Sequence, residues 1–144
     1  MSKPVNPPIT MEAVKTRLAQ MPYAEVLGVE PMLKDGELTL RLPYHDDLIG
    51  NPVLPAMHGG AVSAFMEITA ILQLALTGDS ARLPRTVGIN IDFLRRGHPK
   101  DCFARACIVR QGRRVANMRV SAWQDDIEKP ITALHGNFMI SQDD

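Results

Sequence analysis

The sequence predicts an α+β domain in which a curved, mostly antiparallel sheet wraps one long central helix. Two patterns and their order carry this. From Ala61 to Thr77 the side chains are small, aliphatic or aromatic, interrupted only by Ser63, Glu67, Thr69 and Gln73. A helix apolar on every side is normally buried. After it, segment upon segment alternates between apolar and polar residues up to Ile140. Helix first and a run of strands afterwards is an α+β order, and a sheet bent around the helix is the simplest way to cover it. Such a sheet covers only part of the helix, so a second copy is expected to cover the rest.

Taken in order, residues 1–9 read as a flexible tail, because Pro4, Pro7 and Pro8 forbid a helix there. One domain then runs from residue 10 to residue 144. Thr10 is a plausible N-cap with Glu12 in the first turn. Met11, Val14, Leu18 and Met21 follow at helical spacing, making a short N-terminal helix that Pro22 is expected to end. Val26 to Leu33 and Glu37 to Leu42 read as a hairpin around Asp35-Gly36. Pro31 puts its first strand at an edge or a bulge. Residues 43–57, with Pro43, Pro52 and Pro55, form an irregular loop leading to His58. The long helix should end near Thr77, with Gly78 in the left-handed position beyond it. Val87, Ile89, Ile91 and Phe93 alternate with Gly88, Asn90 and Asp92 as a half-buried strand. Cys102 to Arg110 and Arg114 to Trp123 flank a short turn, and Pro130 to Ile140 is the last strand.

Composition narrows the function. At 144 residues the chain can bury a real core without staples. Sixteen basic residues balance sixteen acidic ones, so no global field draws the protein to nucleic acid or a membrane, and an anionic ligand must meet a local cluster. Cys102 and Cys107 are an odd offset apart on one strand, hence on opposite faces. They should not bridge each other, which suits a reducing, cytoplasmic setting. The first eight residues hold no apolar stretch that would serve as a signal peptide, and the long helix is too short and too interrupted to span a bilayer.

The chemistry gathers at the long helix. His58-Gly59-Gly60 opens it, and Glu67 is its only acid, nine residues after the histidine. A buried unpaired carboxylate is costly, so Glu67 has either a strong partner, such as an arginine at a subunit contact, or a chemical task. A helix start offers unpaired N–H donors at the positive end of the dipole, and glycine lets a ligand approach that backbone closely. No metal-ligand spacing, glycine-rich phosphate loop or Ser-His-Asp arrangement is present.

With Thr86-Val87-Gly88-Ile89-Asn90-Ile91-Asp92-Phe93-Leu94-Arg95 as the strand after the helix, this arrangement resembles the hotdog-fold thioesterases, particularly the phenylacetate-pathway (PaaI-like) branch, over Tyr23 to Ile140. The resemblance implies hydrolysis of an acyl-coenzyme A thioester without metal or redox cofactor, coenzyme A being part of the substrate. It implies Glu67 as nucleophile or general base, and the Gly59 backbone N–H as the donor that polarises the thioester carbonyl. His58 would cap the helix and shape that loop, with Gly60 and Ser63 beside it. The branch usually has Asn or Gln six residues before the histidine; here Pro52 holds that position, and a one-residue shift of the loop would let Asn51 serve. The phosphates of coenzyme A call for basic residues at the rim, which Arg95-Arg96, His98 and Lys100, or Arg113-Arg114, would supply.

Gly59 and Glu67 are eight residues apart, roughly 12 Å along one helix axis, whereas a carbonyl needs its attacking atom about 3–3.5 Å away while its oxygen meets the donor. If both act on one thioester, they come from two subunits, and a two-fold dimer holds two composite sites. The family is built that way, which implies a homodimer and a dimer of dimers (a homotetramer). Two other readings stay open: a non-catalytic acyl-CoA-binding hotdog module, and a hydratase of the same fold. The hydratases place Asp and His close around an Asn-Pro, whereas five residues separate Asn51-Pro52 from His58 here.

Overall fold

The computed structural model describes residues 8–78 and 80–140. The expected tail thus lies outside the described residues except for Pro8 and Ile9, which have no regular structure. In chain order the elements are α1 (Met11–Leu18), α2 (Pro22–Leu27), β1 (Glu30–Lys34), β2 (Glu37–Leu42), a 3-10 turn (Asp46–Leu48), β3 (Ile49–Asn51), β4 (Ala56–Met57), α3 (Gly59–Ala75), β5 (Arg85–Phe93), β6 (Cys102–Gln111), β7 (Val115–Trp123) and β8 (Thr132–Met139). Six strands form one antiparallel sheet in the order β1-β2-β6-β7-β8-β5, and β3 pairs with β4 separately.

The sheet buries α3. Phe65, Met66, Ala70 and Leu72 on the helix are fully buried, as are Leu40 and Leu42 on β2, Cys102 and Ala104 on β6, Ala116 and Met118 on β7 and Phe138 on β8. Burying one such large apolar side chain stabilises the fold by about 1.5–3 kcal/mol. The helix is not buried all round, however. Ala64, Glu67 and Ile71 are only half-buried and Gly60 is exposed. At spacings of four, three and four residues they form one stripe that the chain's own sheet leaves open.

Several local expectations hold for their stated reasons. Thr10 caps α1, its hydroxyl accepting from the Ala13 N–H at 3.2 Å. Asp35 (φ 53°) and Gly36 (φ 77°) both have positive φ, the requirement of a type I′ hairpin turn. Cys102 is buried and Cys107 exposed on the opposite face of β6; burial pushes the Cys102 thiol up to about 12.

Other expectations are corrected. Residues 26 and 27 are helical, not strand: Pro22 opens α2 instead of ending the helical region, and Gly28, at φ 79°, closes it. Proline suits a first helical position because its missing N–H has no partner there anyway. Gly78 is not left-handed. Helix α3 ends instead with the Thr77 N–H and hydroxyl both donating to the Leu74 carbonyl, at 3.2 and 2.8 Å. The 43–57 loop contains the 3-10 turn and the β3–β4 pair. Strand β5 is not evenly half-buried: it is an edge strand, and Val87 and Phe93 are each 60% exposed.

The loop before α3 is pinned where it matters. The His58 N–H donates to the Leu48 carbonyl at 2.7 Å and the Met57 N–H to the Gly97 carbonyl at 3.0 Å. A β-carbon on Gly50 would lie 2.8 Å from the His58 α-carbon, so β3 lies tight against the start of α3. Among the described residues no helix is long and apolar enough to cross a membrane.

Candidate active site

At the start of α3 the backbone donors are unevenly used. His58 is the N-cap, and its Nδ1 accepts from the Gly60 N–H at 2.9 Å. As an acceptor Nδ1 carries no proton, so the ring's N–H is at Nε2. The Ala61 and Val62 N–H groups donate to the His58 carbonyl at 3.1 and 3.2 Å. The Gly59 N–H is left with no acceptor among the described residues. It is therefore the free donor at the positive end of the helix. As the site stands, Gly60 is sterically required, because a β-carbon there would meet the His58 ring at 2.8 Å; one on Gly59 would meet the exposed Phe93 ring at 3.0 Å, which has room to give way.

The other residues that the sequence singled out lie on the first turn of α3, in the 51–54 turn and just after β5. The Ser63 hydroxyl donates to the Gly59 carbonyl at 2.7 Å, a bond back to the preceding helical turn. Arg95 and Arg96 follow Phe93; Arg95 Nη1 donates to the Pro130 carbonyl at 2.7 Å and Arg96 Nη1 to the Leu54 carbonyl at 2.8 Å. Arg96 Nη2 also lies 3.1 Å from His98 Nδ1, and Lys100 pairs with Asp125 at 2.5 Å. Asn51 is exposed, and its Oδ1 accepts from the Val53 and Leu54 N–H groups at 3.1 and 3.3 Å. Its side chain shapes the same 51–54 turn that Arg96 holds.

Glu67 stands apart from this group. It lies two helical turns further on, half-buried on the open stripe instead of sealed in the chain's own core. Its Oε2 accepts from the Thr86 hydroxyl at 2.9 Å, and no cation of the described residues pairs with it. Strand β5 thus touches the helix at both ends, with Thr86 beside Glu67 and Phe93 over Gly59. Sequence reasoning assigned no task to either Thr86 or Phe93. The available signal was direction: a strand returning antiparallel along a helix sets its first residues beside the helix middle and its last beside the helix start.

Comparison with known proteins gives the family and the fold. Residues 54–131, over half of the chain, match the Thioesterase superfamily. The chain belongs to that superfamily. A Halobacterium salinarum relative, named as a presumed esterase, is 31% identical over 118 residues, which cover 76% of this chain and 78% of the relative. Among solved structures, a Pseudomonas aeruginosa protein is 31% identical with a TM-score of 0.78, covering 91% of this chain and 98% of its own. A presumed thioesterase from Ralstonia eutropha, described as related to phenylacetic acid degradation, has a TM-score of 0.75 at 23% identity, covering 87% and 98%. A Bacillus halodurans protein solved with CoA has a TM-score of 0.76 at 20% identity, covering 93% and 92%. The last two share the fold: an antiparallel curved sheet about one long helix, the hotdog architecture of thioesterases.

Proposed function

We propose that this protein is an acyl-CoA thioesterase of the phenylacetate-pathway type, acting as a homodimer whose two sites each join Glu67 of one subunit to the Gly59 N–H of the other. The observation that carries this is the placement of Thr86 with Glu67, and of Phe93 with Gly59, at opposite ends of an edge strand. Among the described residues, strand β5 pairs with β8 along one edge only. If β5 pairs antiparallel with its own copy about a two-fold axis between Ile89 and Asn90, Thr86 of one subunit falls opposite Phe93 of the partner subunit. That register brings Glu67 toward the partner's Gly59, and covers the open stripe on α3 and the exposed Val87. Dimers pairing again into a dimer of dimers belong to the same proposal.

In such a site the thioester oxygen points at the Gly59 N–H and the helix end stabilises the negative charge that develops on it. Glu67 removes a proton from the attacking water, or attacks the carbonyl carbon itself to form a mixed anhydride that water then opens. Either way the carbon–sulfur bond breaks and the coenzyme A thiol leaves. His58 serves as the cap that leaves Gly59 as the free donor. Gly60, Ser63, Arg95 and Arg96 form the surrounding wall, and Asn51 holds the loop at its rim. No step calls for a metal or redox cofactor. The CoA bound to the Bacillus halodurans protein, which has the same fold, supports this substrate class.

The engagement of Asn51 Oδ1 within its own turn gives a second reading, a module that binds acyl-CoA without turning it over. Thiol release across a panel of acyl- and aryl-acyl-CoAs separates the two. The thioesterase releases thiol, whereas the binding module shows saturable binding in calorimetry and no thiol.

Thr86 supplies a finer check. Hydrogen bonds to charged groups contribute about 1.5–3 kcal/mol, so Thr86→Val is expected to lower kcat by about tenfold to a hundredfold. KM should change little, and Thr86→Ser should restore most of the rate. An unchanged rate in Thr86→Val would remove Thr86 from the positioning of Glu67.

A further inference from the structure

The face of the sheet turned away from α3 carries a cavity that the site above does not use. Strand pairing sets its floor. Cys107 on β6, Arg119 on β7 and His135 on β8 are direct partners in one row, and Arg105, Ser121 and Ala133 form the next row two residues along. All six alternate with residues such as Ala104, Val120 and Leu134, which are buried in the core, so a period of two puts the six on the outer face. Ser121 and Ala133 are short and lie between the longer Arg105, Arg119 and His135. The result is an open cavity of about 450 Å³, a size usual for small-molecule sites.

The charges on this floor do not cancel. Arg105 is already engaged: its Nε donates to Thr39 Oγ1 at 2.7 Å, its Nη1 pairs with Glu37 Oε1 at 3.2 Å, and its guanidinium lies 5.7 Å from the centre of the Trp123 ring. Glu37, the carboxylate that lines the cavity, is thereby neutralised. The Arg119 guanidinium, by contrast, has no acceptor among the described residues, and the His135 ring and the Ser121 hydroxyl have no hydrogen-bond partner there. Asp92 ends the Ser121–Ala133 row on β5 and does not line the cavity. One positive charge is left without a counter-charge.

We propose that this cavity binds a small monocarboxylic acid, its carboxylate between Arg119 and His135 and its apolar body over Ala133. A guanidinium meets a carboxylate through two parallel N–H donors. Residues directly opposite on neighbouring strands have β-carbons about 4.5–5.5 Å apart, so the His135 ring can donate to the same group. The Ser121 hydroxyl, two residues along the strand from Arg119, offers a further donor. A single uncompensated charge favours a monoanion over a phosphate dianion. The cavity lies on the opposite face of the sheet from Glu67 and Gly59, so the inference goes beyond the function proposed above. The acid that thioester hydrolysis would release belongs to the same chemical class.

Cys107 is a local reporter. It is exposed and lines the cavity, whereas Cys102 is buried with its thiol pushed up to about 12, so a neutral alkylating reagent marks Cys107. Benzoate is expected to slow this alkylation saturably in wild type. Benzamide, of the same shape without the charge, should not. In Arg119→Met the affinity read from this protection should fall about tenfold or more, with the melting temperature near wild type because Arg119 is exposed. Glu67→Gln should be protected as wild type is. No protection by benzoate, equal protection in Arg119→Met, or equal protection by benzamide overturns the site. Loss of protection in Glu67→Gln places benzoate at Glu67 and overturns it too. Inorganic phosphate protecting better than benzoate overturns the assignment to a monocarboxylate. None of these readouts needs turnover, so their failure leaves the thioesterase reading standing, and a protein that releases no thiol can still hold the acid.

Discussion

Glu67→Gln is expected to lower kcat for acyl-CoA hydrolysis by about 10²–10⁴-fold, the usual effect of removing a positioned base, with the melting temperature and coenzyme A affinity close to wild type. The substitution is chosen for what it preserves. A carboxamide oxygen still accepts from the Thr86 hydroxyl that lies 2.9 Å from Glu67 Oε2, and the side chain still fills its place between Ala64 and Ile71 on the open stripe. Only the charge and the proton-accepting capacity are lost. A Glu67 that merely anchored an ion pair at a subunit contact would behave differently, with stability or dimerisation falling and turnover per folded dimer surviving. Full activity in Glu67→Gln ends the catalytic assignment.

Gly59→Pro is the second large expectation. Gly59 is the first residue of α3, preceded by His58 at φ −65° and ψ 125°, which is the extended geometry that a residue before proline requires. Proline is well tolerated at the first helical position. The substitution deletes one atom of interest, the amide hydrogen that has no acceptor among the described residues. The added ring atoms meet Phe93, an exposed side chain with room to move. Loss of one oxyanion donor typically costs about 10²–10³-fold in kcat, and that loss is expected here with near-native circular dichroism. A Gly59→Pro protein that folds and turns over at the wild-type rate would take the oxyanion role away from this N–H.

Much of the architecture was legible because it follows from short-range rules. The Asp35-Gly36 turn needs positive φ at both residues, the Thr10 cap needs only a hydroxyl three residues before an N–H, and the opposite faces of Cys102 and Cys107 follow from a period of two. The features that escaped depend on tertiary partners. Pro22 stops or starts a helix according to what surrounds it, and residues 22–27 start one. The alternation of Val87 to Phe93 is the same for an inner strand and for an edge strand awaiting a partner. Gly78 was dispensable as a left-handed cap because Thr77 closes the helix with its own hydroxyl.

The candidate site divides along the same line. His58, Gly59 and Gly60 are contiguous, so their joint placement at a helix start could be read directly. The pairing of Glu67 with Thr86 spans 19 residues and appears only once β5 is laid along α3.

The central claim is that each site is shared between two subunits, and complementation tests it most directly. Glu67→Gln and Gly59→Pro proteins, each inactive alone, are mixed, dissociated and reassembled. In a shared arrangement every mixed dimer holds one site with both groups intact, so random reassortment of a two-fold dimer should return about one quarter of wild-type activity. A mixture that stays as inactive as its parents, while mixed dimers are shown to form, would mean that Glu67 and Gly59 never meet across the interface.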